Sequence, residues 1–278
     1  MYMAKDTRFE SLGDRMKMYE RIEAGRIFIP TLPIIARIDG RSFHNFTKGM
    51  DRPFDSALNH MMVLTTRHLV QETQACMGYT QSDEIILAWH SDDVKSQVWF
   101  DGRIHKMVSQ LAAQATLRFY TLCEEINPYY AQRMPTFDAR VWQVPNRKEG
   151  ANVFLWREWD ATKNSISMAA QSMFSHKELH GKDSNAKQAM MLERGRNWND
   201  YPARFKRGSF VQRQKKMMPF SFDELEKLPP KHEARTNPNL QVMRSTYEII
   251  DMPPLGTVTN REAVIFEGDG PIVILPSK

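Results

Sequence analysis

Two acidic positions in this sequence stand at the ends of short apolar runs, where a buried strand would hold a carboxylate still. Asp39 follows the run at residues 33–38, and Asp83 and Glu84 precede the run at residues 85–89. Carboxylate oxygens, completed by substrate phosphates, are the ligands that Mg²⁺ prefers. Because Asp-Gly and Ser-Asp-Glu are also ordinary turn sequences, either position alone is weak evidence. The two together predict a cation site if the fold places them side by side.

The elements predicted around these carboxylates supply such a fold. Apolar runs and helical spacing predict a strand, a long helix, two short strands, a second long helix and a fourth strand. The first helix begins near residue 53, and the other elements lie at residues 33–38, 77–80, 85–89, 104–125 and 137–145. This β-α-β-β-α-β order is the ferredoxin-like split βαβ unit of the α+β class. Its first and third strands are central and antiparallel, so Asp39 is expected beside Asp83 and Glu84.

The sequence next to Asp39 suits phosphate and metal chemistry. Two carboxylates that share a site repel each other and raise each other's pKa, a cost that a divalent cation removes. Gly40 permits a close turn of the backbone and can offer its carbonyl oxygen to a metal. The amides of residues 41–44 would then meet phosphate oxygens as a nest. A pair of metals at such a site serves in-line phosphoryl transfer.

Composition and length favour one large globular domain or a domain with an appendage. The chain has 278 residues, of which 41% are hydrophobic and 26% are charged, and its net charge is +5. Its two cysteines, Cys76 and Cys123, cannot build a disulfide framework or a Cys-rich zinc site. Residues 1–17 lack the apolar core of a signal peptide, and no run reaches membrane-spanning length. We therefore expect a cytoplasmic protein with no membrane association.

Outside the split βαβ unit the sequence predicts mainly helices, at residues 10–25, 150–176 and 184–195. The composition of the sequence changes beyond Met217, where eight of the 15 prolines lie. Two late strands are expected there, at residues 263–266 and 272–275. We therefore divide the chain into a catalytic domain at residues 1–216 and a proline-rich extension at residues 217–278, whose role stays unassigned.

Two histidines in the chain have the spacing of metal ligands. His176 and His180 stand four residues apart, which places both on one face of a helix. The intervening glutamate is not in the order of a zinc protease motif, and no Cys or Asp ligand lies nearby. A polar helix face is therefore the favoured interpretation.

A cluster of basic residues lies between residues 204 and 216. The segment RFKRGSFVQRQKK carries six basic residues and no acidic one, with Phe205 and Phe210 interleaved. Such a mixture binds phosphate through its cations and stacks on bases through its rings, although a solvated face has a similar composition. On composition alone, this basic segment is more often a solvated face than a phosphate-binding one.

Six short motifs of the sequence, in the same order, resemble those of the tRNA-histidine guanylyltransferase family. They are RIDGRSFHNF (37–46), RPFD (52–55), QSDE (81–84), FDARV (137–141), WREWDATKNS (156–165) and KRGS (206–209). The resemblance covers roughly residues 10–216 and is closer to the bacterial and archaeal branch, the guanylyltransferase-like 3′–5′ polymerases. It implies a polymerase palm that adds nucleotides to the 5′ end of tRNA. A 5′-monophosphate is first activated with ATP, or a 5′-triphosphate is used directly.

The resemblance also implies roles for individual residues. As catalytic residues, Asp39 and Asp83 would hold two Mg²⁺ ions, with the Gly40 carbonyl on one of them and Glu84 as a supporting or orienting group. The triphosphate of ATP, GTP or another nucleoside triphosphate would be lined by Asp39, Gly40, Arg41, Ser42, Phe43, His44, Arg52, Ser82, Asp83 and Lys106. The family usually assembles as a homotetramer and places tRNA across its subunits. The resemblance also implies that the basic segment faces RNA, through Lys206, Arg207, Arg213, Lys215 and Lys216.

One departure from the family pattern bears on the substrate. Eukaryotic members carry a histidine- and asparagine-rich motif where this chain reads TKNSISM (162–168), and only Asn164 is retained in register. This favours template-dependent repair of tRNA 5′ ends over guanylate addition to tRNA-His, which is the first alternative. The second is a nucleotidyl cyclase of the same palm fold, which needs no RNA. The third is a non-enzymatic RNA-binding module of ferredoxin-like fold.

Overall fold

A computed structural model describes residues 7–96, 98–237 and 239–273. Within these residues the centre is a six-stranded antiparallel sheet with strand order β4-β1-β3-β2-β5-β6. The strands are β1 (Ile34–Gly40), β2 (Met77–Gln81), β3 (Glu84–Trp89), β4 (Phe137–Gln143), β5 (Ser209–Pro219) and β6 (Gln241–Ile250). The first four strands confirm the predicted split βαβ unit, with β1 and β3 at its centre.

Helices connect these strands and extend beyond them. In chain order they are α1 (Thr7–Ala24), α2 (Phe43–Phe46), α3 (Ser56–Thr73), α4 (Ile104–Ile126), α5 (Pro128–Ala131), α6 (Arg147–Gln171), α7 (His176–Leu179), α8 (Ser184–Glu193), α9 (Ala203–Lys206), α10 (Phe222–Lys227) and α11 (Arg261–Phe266). The two long connecting helices, α3 and α4, lie where the sequence predicts them. No helix in the described part of the chain is long and apolar enough to cross a membrane.

The two faces of the sheet bury different sets of side chains, because successive strand residues point to opposite faces. On one face, Ile34, Ala36 and Ile38 of β1 join a core with α3 and α4. On the other face, Ile35 and its neighbours on β2, β3 and β5 pack against α6 and α11. The sheet is therefore the middle layer between two layers of helices.

Local sequence sets the start of α3. The side chain of Asp55 caps the helix by accepting a hydrogen bond from the Leu58 amide at 2.8 Å. Such a cap satisfies one of the amide groups that the first helical turn leaves unpaired. Apolar residues then recur at helical spacing, and Met61, Met62 and Leu69 are buried against the sheet.

The C-terminal part of the chain corrects two expectations. Residues 263–266 are helical rather than a strand, and they end α11 with Val264, Ile265 and Phe266 buried in the core. The strand expected at residues 272–275 is reduced to an isolated bridge between Val258 and Val273, and residues 274–278 lie outside the described residues.

The expected domain boundary after residue 216 falls inside β5. This strand runs unbroken from Ser209 to Pro219. The buried side chain of Gln212 donates hydrogen bonds to the carbonyls of Val264 and Asp269, both at 2.8 Å. Residues on both sides of the expected boundary thus share one strand, and that strand is bonded to residues 264 and 269 of the extension.

Candidate active site

The ends of β1 and β3 meet as the topology requires. Asp39 is the register partner of Glu84, and the amide of Gly40 donates a hydrogen bond to the carbonyl of Asp83 at 3.0 Å. The turn between β2 and β3 is tight because Ser82 adopts a left-handed conformation, with φ of 55°. The structure therefore brings Asp39 and Asp83, the two predicted cation ligands, to one edge of the sheet.

The electrostatics of Asp83 favour a cation. Burial raises the pKa of Asp83 and the neighbouring Asp39 raises it further, while hydrogen bonds from its own backbone amide and from Ser82 lower it. A carboxylate that is desolvated next to a second carboxylate is stabilised by a divalent cation. The described residues contain no cluster of three His, Cys, Asp or Glu side chains able to hold a metal. Two carboxylates fit a cation whose remaining ligands come from substrate phosphates and water.

Glu84 is held by an arginine instead of facing the pair. Arg157 of α6 donates two parallel hydrogen bonds to it, Nε to Oε1 at 2.6 Å and Nη2 to Oε2 at 2.7 Å. The same guanidinium lies 3.1 Å from Asp160 and 4.7 Å from the centre of the Trp156 ring. Such a bidentate pair fixes both side chains. This geometry fits the orienting role expected for Glu84 rather than that of a ligand.

Asp39 lies in the middle of an acidic row that crosses three strands. Its register partners are Glu84 on β3 and Asp138 on β4, so the three side chains point to the same face. The flanking carboxylates have arginine partners, since Arg140 lies 3.4 Å from Asp138 and Arg157 binds Glu84. Within the described residues, Asp39 itself has no ion pair.

Sequence reasoning missed Asp138 and the three arginines of this face. Arg37 stands two residues before Asp39, and Arg140 two residues after Asp138. Because residues two apart in a strand share a face, the paired patterns Arg-Ile-Asp and Asp-Ala-Arg were a readable signal. The contact of Arg157 with Glu84 had no such signal, since it depends on how α6 is rotated over the sheet.

Gly40 and Phe43 have structural roles at this edge. A Cβ atom added to Gly40 would lie 2.4 Å from Cδ2 of Phe43, so only glycine leaves room for that ring. The ring is 4% exposed and packs against Phe46, Phe119 and Phe137, with centroids 4.8 to 5.5 Å apart. The side chain of Phe43, which was expected to line the triphosphate, therefore belongs to the core, and only its backbone remains for that role.

The predicted amide nest is one residue shorter than expected. The amide of Arg41 donates to the carbonyl of Thr136 at 2.8 Å and is not free for phosphate. Ser42 is in the left-handed conformation, and the amides of Ser42, Phe43 and His44 have no hydrogen-bond acceptor among the described residues. Three consecutive amides thus remain available next to Asp39.

A cleft of about 340 Å³ opens beside these amides. His44, Arg52 and Ser82, all expected at the nucleotide site, line it. Phe54 and Phe205 also line it and stack on each other with centroids 5.1 Å apart and planes 6° from parallel. The volume and the mixture of aromatic and polar groups suit a small organic ligand such as a nucleoside.

Lys106 does not belong to this site in a single chain. It precedes Phe119 by 13 residues on α4, which separates the two by about 20 Å at the rise of an α-helix. Phe119 packs on Phe43 beside the site. Lys106 instead lines a groove next to the C-terminal end of α1, with Lys17 and Arg103. The charge of Lys106 would suit a phosphate contact, but its position along α4 places it far from this site.

The basic segment contains both partly buried and exposed cations. The Lys206 ammonium donates to the Asn199 carbonyl at 2.6 Å, and Arg207 is half-buried 3.7 Å from the buried Glu158. Arg213 is partly buried and contacts the sulfur of Cys76. Lys215 and Lys216 are exposed on the outer part of β5, and Lys216 lies 3.3 Å from Glu248. These two exposed lysines lie on the part of β5 that pairs with β6 alone.

The two histidines with metal-ligand spacing lie at α7. Their rings are 6.2 Å apart between centroids. Nothing else in the described chain completes a group of three ligands around them. Both side chains are exposed, and the polar-face interpretation stays a prediction.

An antiparallel split βαβ sheet with carboxylates at the adjoining ends of its central strands defines a palm-type fold, in which acidic side chains hold the metals of nucleotidyl transfer. The comparisons with known proteins agree with this class. The model of the tRNAHis guanylyltransferase (Thg1) family matches residues 13–145.

Individual relatives extend the match over most of the chain. A bacterial tRNA(His) guanylyltransferase-like protein solved in complex with ATP is 39% identical, with a TM-score of 0.69, and the match covers 72% of this chain and 88% of that one. A second such structure, in complex with GTP, is 30% identical, with a TM-score of 0.67 and coverage of 88% and 94%. The tRNA(His) guanylyltransferase of Schizosaccharomyces pombe is 29% identical over 226 residues, covering 76% of this chain and 82% of the relative. The chain belongs to the tRNAHis guanylyltransferase family and is a nucleotidyltransferase.

Proposed function

We propose that this protein adds nucleotides in the 3′–5′ direction to the 5′ end of tRNA, and that it does so under the direction of a template. The observation that carries the proposal is the pairing of Asp39 and Asp83 at adjoining strand ends beside a nucleoside-sized cleft. The names of similar structures, which record complexes with ATP and with GTP, support a nucleoside triphosphate as the ligand.

The donor set of the site fits Mg²⁺. Asp39 and Asp83 would hold two ions, with the Gly40 carbonyl as a further oxygen ligand, and the ions would supply Lewis-acid stabilisation of the phosphates. The chain's own groups do the rest of the positioning. The amides of residues 42–44 and the Arg52 guanidinium receive phosphate oxygens. In the transfer, the 3′-hydroxyl of the incoming nucleotide bonds to the 5′ α-phosphorus of the RNA, and the bond to adenylate or pyrophosphate breaks.

The segment at residues 162–168 supports template dependence. In α6, the Asn164 side chain donates to Asp160 at 3.3 Å. Ser165 is buried; its hydroxyl donates to the Lys206 carbonyl at 3.1 Å and lies 3.3 Å from the indole nitrogen of Trp198, which donates to it. Structural bonds therefore occupy two polar side chains of this segment. With these side chains engaged, the segment is less able to read the incoming base, and nucleotide choice would fall to base pairing with the RNA.

Guanylate addition to tRNA-His is the second candidate function, because several relatives carry that name, including the one from Schizosaccharomyces pombe. The same experiment separates the two. A 5′-monophosphorylated tRNA that lacks its first nucleotide, labelled at the 5′ phosphate, is incubated with Mg²⁺, ATP and one nucleoside triphosphate at a time. Substrates with each of the four template bases opposite the missing position are compared.

We expect extension by the complementary nucleotide for each template, and loss of extension in Asp83→Asn. Asp93→Asn is the matched control, since Asp93 is exposed beyond the opposite end of β3. Guanylate added whatever the template base would establish the second function. No extension with either 5′-monophosphate or 5′-triphosphate ends would overturn both, and cyclic products from nucleotide alone would indicate a cyclase.

The proposal includes a homotetramer as the active assembly. Apolar residues Leu12, Met16 and Tyr19 lie on α1 with 43%, 45% and 52% of their surface exposed. An exposed apolar stripe on a helix is typical of a surface that another chain covers. Assembly would also provide the means to bring Lys106 of one chain toward the site of another.

A further inference from the structure

Arg157, the arginine that binds Glu84, has no role in the nucleotide transfer proposed above. Arg157 is 14% exposed and so is its partner Glu84, and two hydrogen bonds of 2.6 and 2.7 Å join them. Asp160 on the next helical turn and the ring of Trp156 hold the guanidinium from other sides. A largely buried pair joined by two hydrogen bonds keeps one geometry.

The position of Glu84 next to Asp39 makes this pair relevant to the metal site. Glu84 is the direct register neighbour of Asp39, and opposite residues of an antiparallel ladder have Cβ atoms about 4.5–5.5 Å apart. A glutamate has one more methylene than an aspartate, so a released Glu84 carboxylate could reach a cation held by Asp39. Such a cation would then face three carboxylates instead of two.

The charges around the row show that Arg157 is the main restraint on Glu84. Arg37, the other cation near this carboxylate, lies 4.0 Å away, which is beyond hydrogen-bond distance. Arg140 is directed to Asp138 on the opposite side of Asp39. Among the described residues, Asp39 is thus the one member of the acidic row without an arginine.

We propose that Arg157 is a positioning residue that keeps Glu84 off the metal site, so that Asp39 and Asp83 alone supply its carboxylates. The inference rests on the proposed function for its choice of cation. The number of charged ligands sets how tightly a site holds a divalent cation. A third carboxylate would bind the ions more tightly, and it would occupy positions that substrate phosphates need.

The test measures metal binding directly, with Mn²⁺ as the probe. Mn²⁺ is titrated into the full chain in the presence of a non-reactive nucleoside triphosphate analogue. Electron paramagnetic resonance quantifies the Mn²⁺ that stays free at each step. We expect Arg157→Gln to tighten Mn²⁺ binding by about tenfold, through the added ligand charge, and to lower kcat for nucleotide addition. Arg157→Gln/Glu84→Gln should return Mn²⁺ affinity to within about twofold of the original chain, because the released carboxylate is gone.

The matched control is Arg147→Gln. Arg147 pairs with Glu267 at the N-terminal end of α6, so the variant removes an arginine–glutamate pair of the same helix away from the site. Its Mn²⁺ affinity should equal that of the original chain. Unchanged or weaker Mn²⁺ binding in Arg157→Gln would overturn the proposal, as would a double variant that keeps the altered affinity.

Glu84→Gln alone covers the case in which Arg157→Gln does not fold. The amide still accepts a hydrogen bond from Arg157, so Mn²⁺ affinity should stay near that of the original chain. A loss of Mn²⁺ binding in this variant would show that Glu84 is a ligand and would contradict the inference. The binding results do not depend on RNA, so a failure of the proposed function shows separately, as absent nucleotide addition by the original chain.

Discussion

The amide of Gly40 donates a hydrogen bond to the carbonyl of Asp83, so the main chain itself joins the two strand ends that carry the candidate site. Residues on adjoining strands keep their separation better than residues on loops, because the ladder fixes register. The carboxylates of Asp39 and Asp83 are thus held near each other before any ion binds. Burial is the main cause of the raised pKa of Asp83, and the nearby Asp39 raises it further.

Substitution of Gly40 by alanine should destabilise the protein. Its Cβ would lie 2.4 Å from the buried ring of Phe43, which has no room to move within its aromatic cluster. We expect a loss of about 1–3 kcal/mol in the free energy of unfolding, typical of overpacking, measured by urea denaturation. Gly13→Ala is the control, since nothing lies within 4 Å of its added Cβ. It should be unchanged or more stable by about 0.5–1 kcal/mol, because alanine favours helix. Equal stabilities of the two variants would contradict the packing argument.

Stability should fall as the pH rises toward neutrality, through Glu158. Burial raises the pKa of this glutamate to about 7, against the lowering effects of the Leu255 amide and Arg207. A raised pKa in the folded state means that the folded protein favours the protonated form. Its contribution is complete below about pH 4.5 and is lost as the pH rises through about 7.

The measurement is urea unfolding of the original chain and Glu158→Gln at pH 5 and pH 8. The variant should lose less stability between these pH values, by on the order of 2 kcal/mol. Glu193→Gln, at an exposed position on α8, should retain the pH dependence of the original chain. A pH dependence in Glu158→Gln equal to that of the original chain would count against a buried, protonated Glu158.

Loss of one aromatic ring should weaken nucleotide binding without affecting metal binding. Phe205 stacks on Phe54 in the wall of the cleft. Phe205→Ala should raise KM for the nucleoside triphosphate by about tenfold, from lost aromatic contact of roughly 1–1.5 kcal/mol, with Mn²⁺ affinity retained. Phe222→Ala, at a ring that is 74% exposed on α10, is the control. An unaltered KM in Phe205→Ala would place the nucleoside elsewhere.

The cations of the basic segment should separate into two classes. Lys215→Gln/Lys216→Gln should weaken tRNA binding and reduce the salt slope of log Kd by up to about 2, one unit for each lost phosphate contact. The unfolding free energy should change by less than about 1 kcal/mol, because both side chains are exposed and the Lys216–Glu248 contact is a surface ion pair. Filter binding at several salt concentrations provides the slope.

Arg207→Gln should give the opposite result, with a lower unfolding free energy and an unchanged salt slope. Arg207 is the cation that faces the buried carboxyl of Glu158, so its removal leaves that group without a charged neighbour. A reduced salt slope in Arg207→Gln together with full stability would return this arginine to the RNA-binding set.

The sequence alone was sufficient for the split βαβ unit and for the carboxylate pair. Buried strands are marked by their apolar runs, and the topology then dictates that Asp39 and Asp83 share an edge. Family motifs pointed to His44, Arg52 and Ser82, which the structure places around one cleft. These features depend on chain order and local pattern, which a sequence records directly.

Other features depend on geometry that no local pattern contains. The run at residues 263–266 is apolar throughout, so its periodicity could not separate a buried strand from a buried helix. Lys106 has a suitable charge, but its distance from the site follows from the direction of α4. The partners of Arg207 and Arg157 depend on how separate elements are rotated against each other, which is decided by packing across the whole core.

The hydrogen bonds from Gln212 to the carbonyls of Val264 and Asp269 have a consequence for folding during synthesis. During translation, β1 to β4 with α3 and α4 would leave the ribosome long before α11 does. The sheet face under α6 would remain partly open to chaperones until residue 269 had emerged. Synthesis that stalls late in the chain would therefore yield a nascent protein that already contains both site carboxylates but exposes an apolar surface.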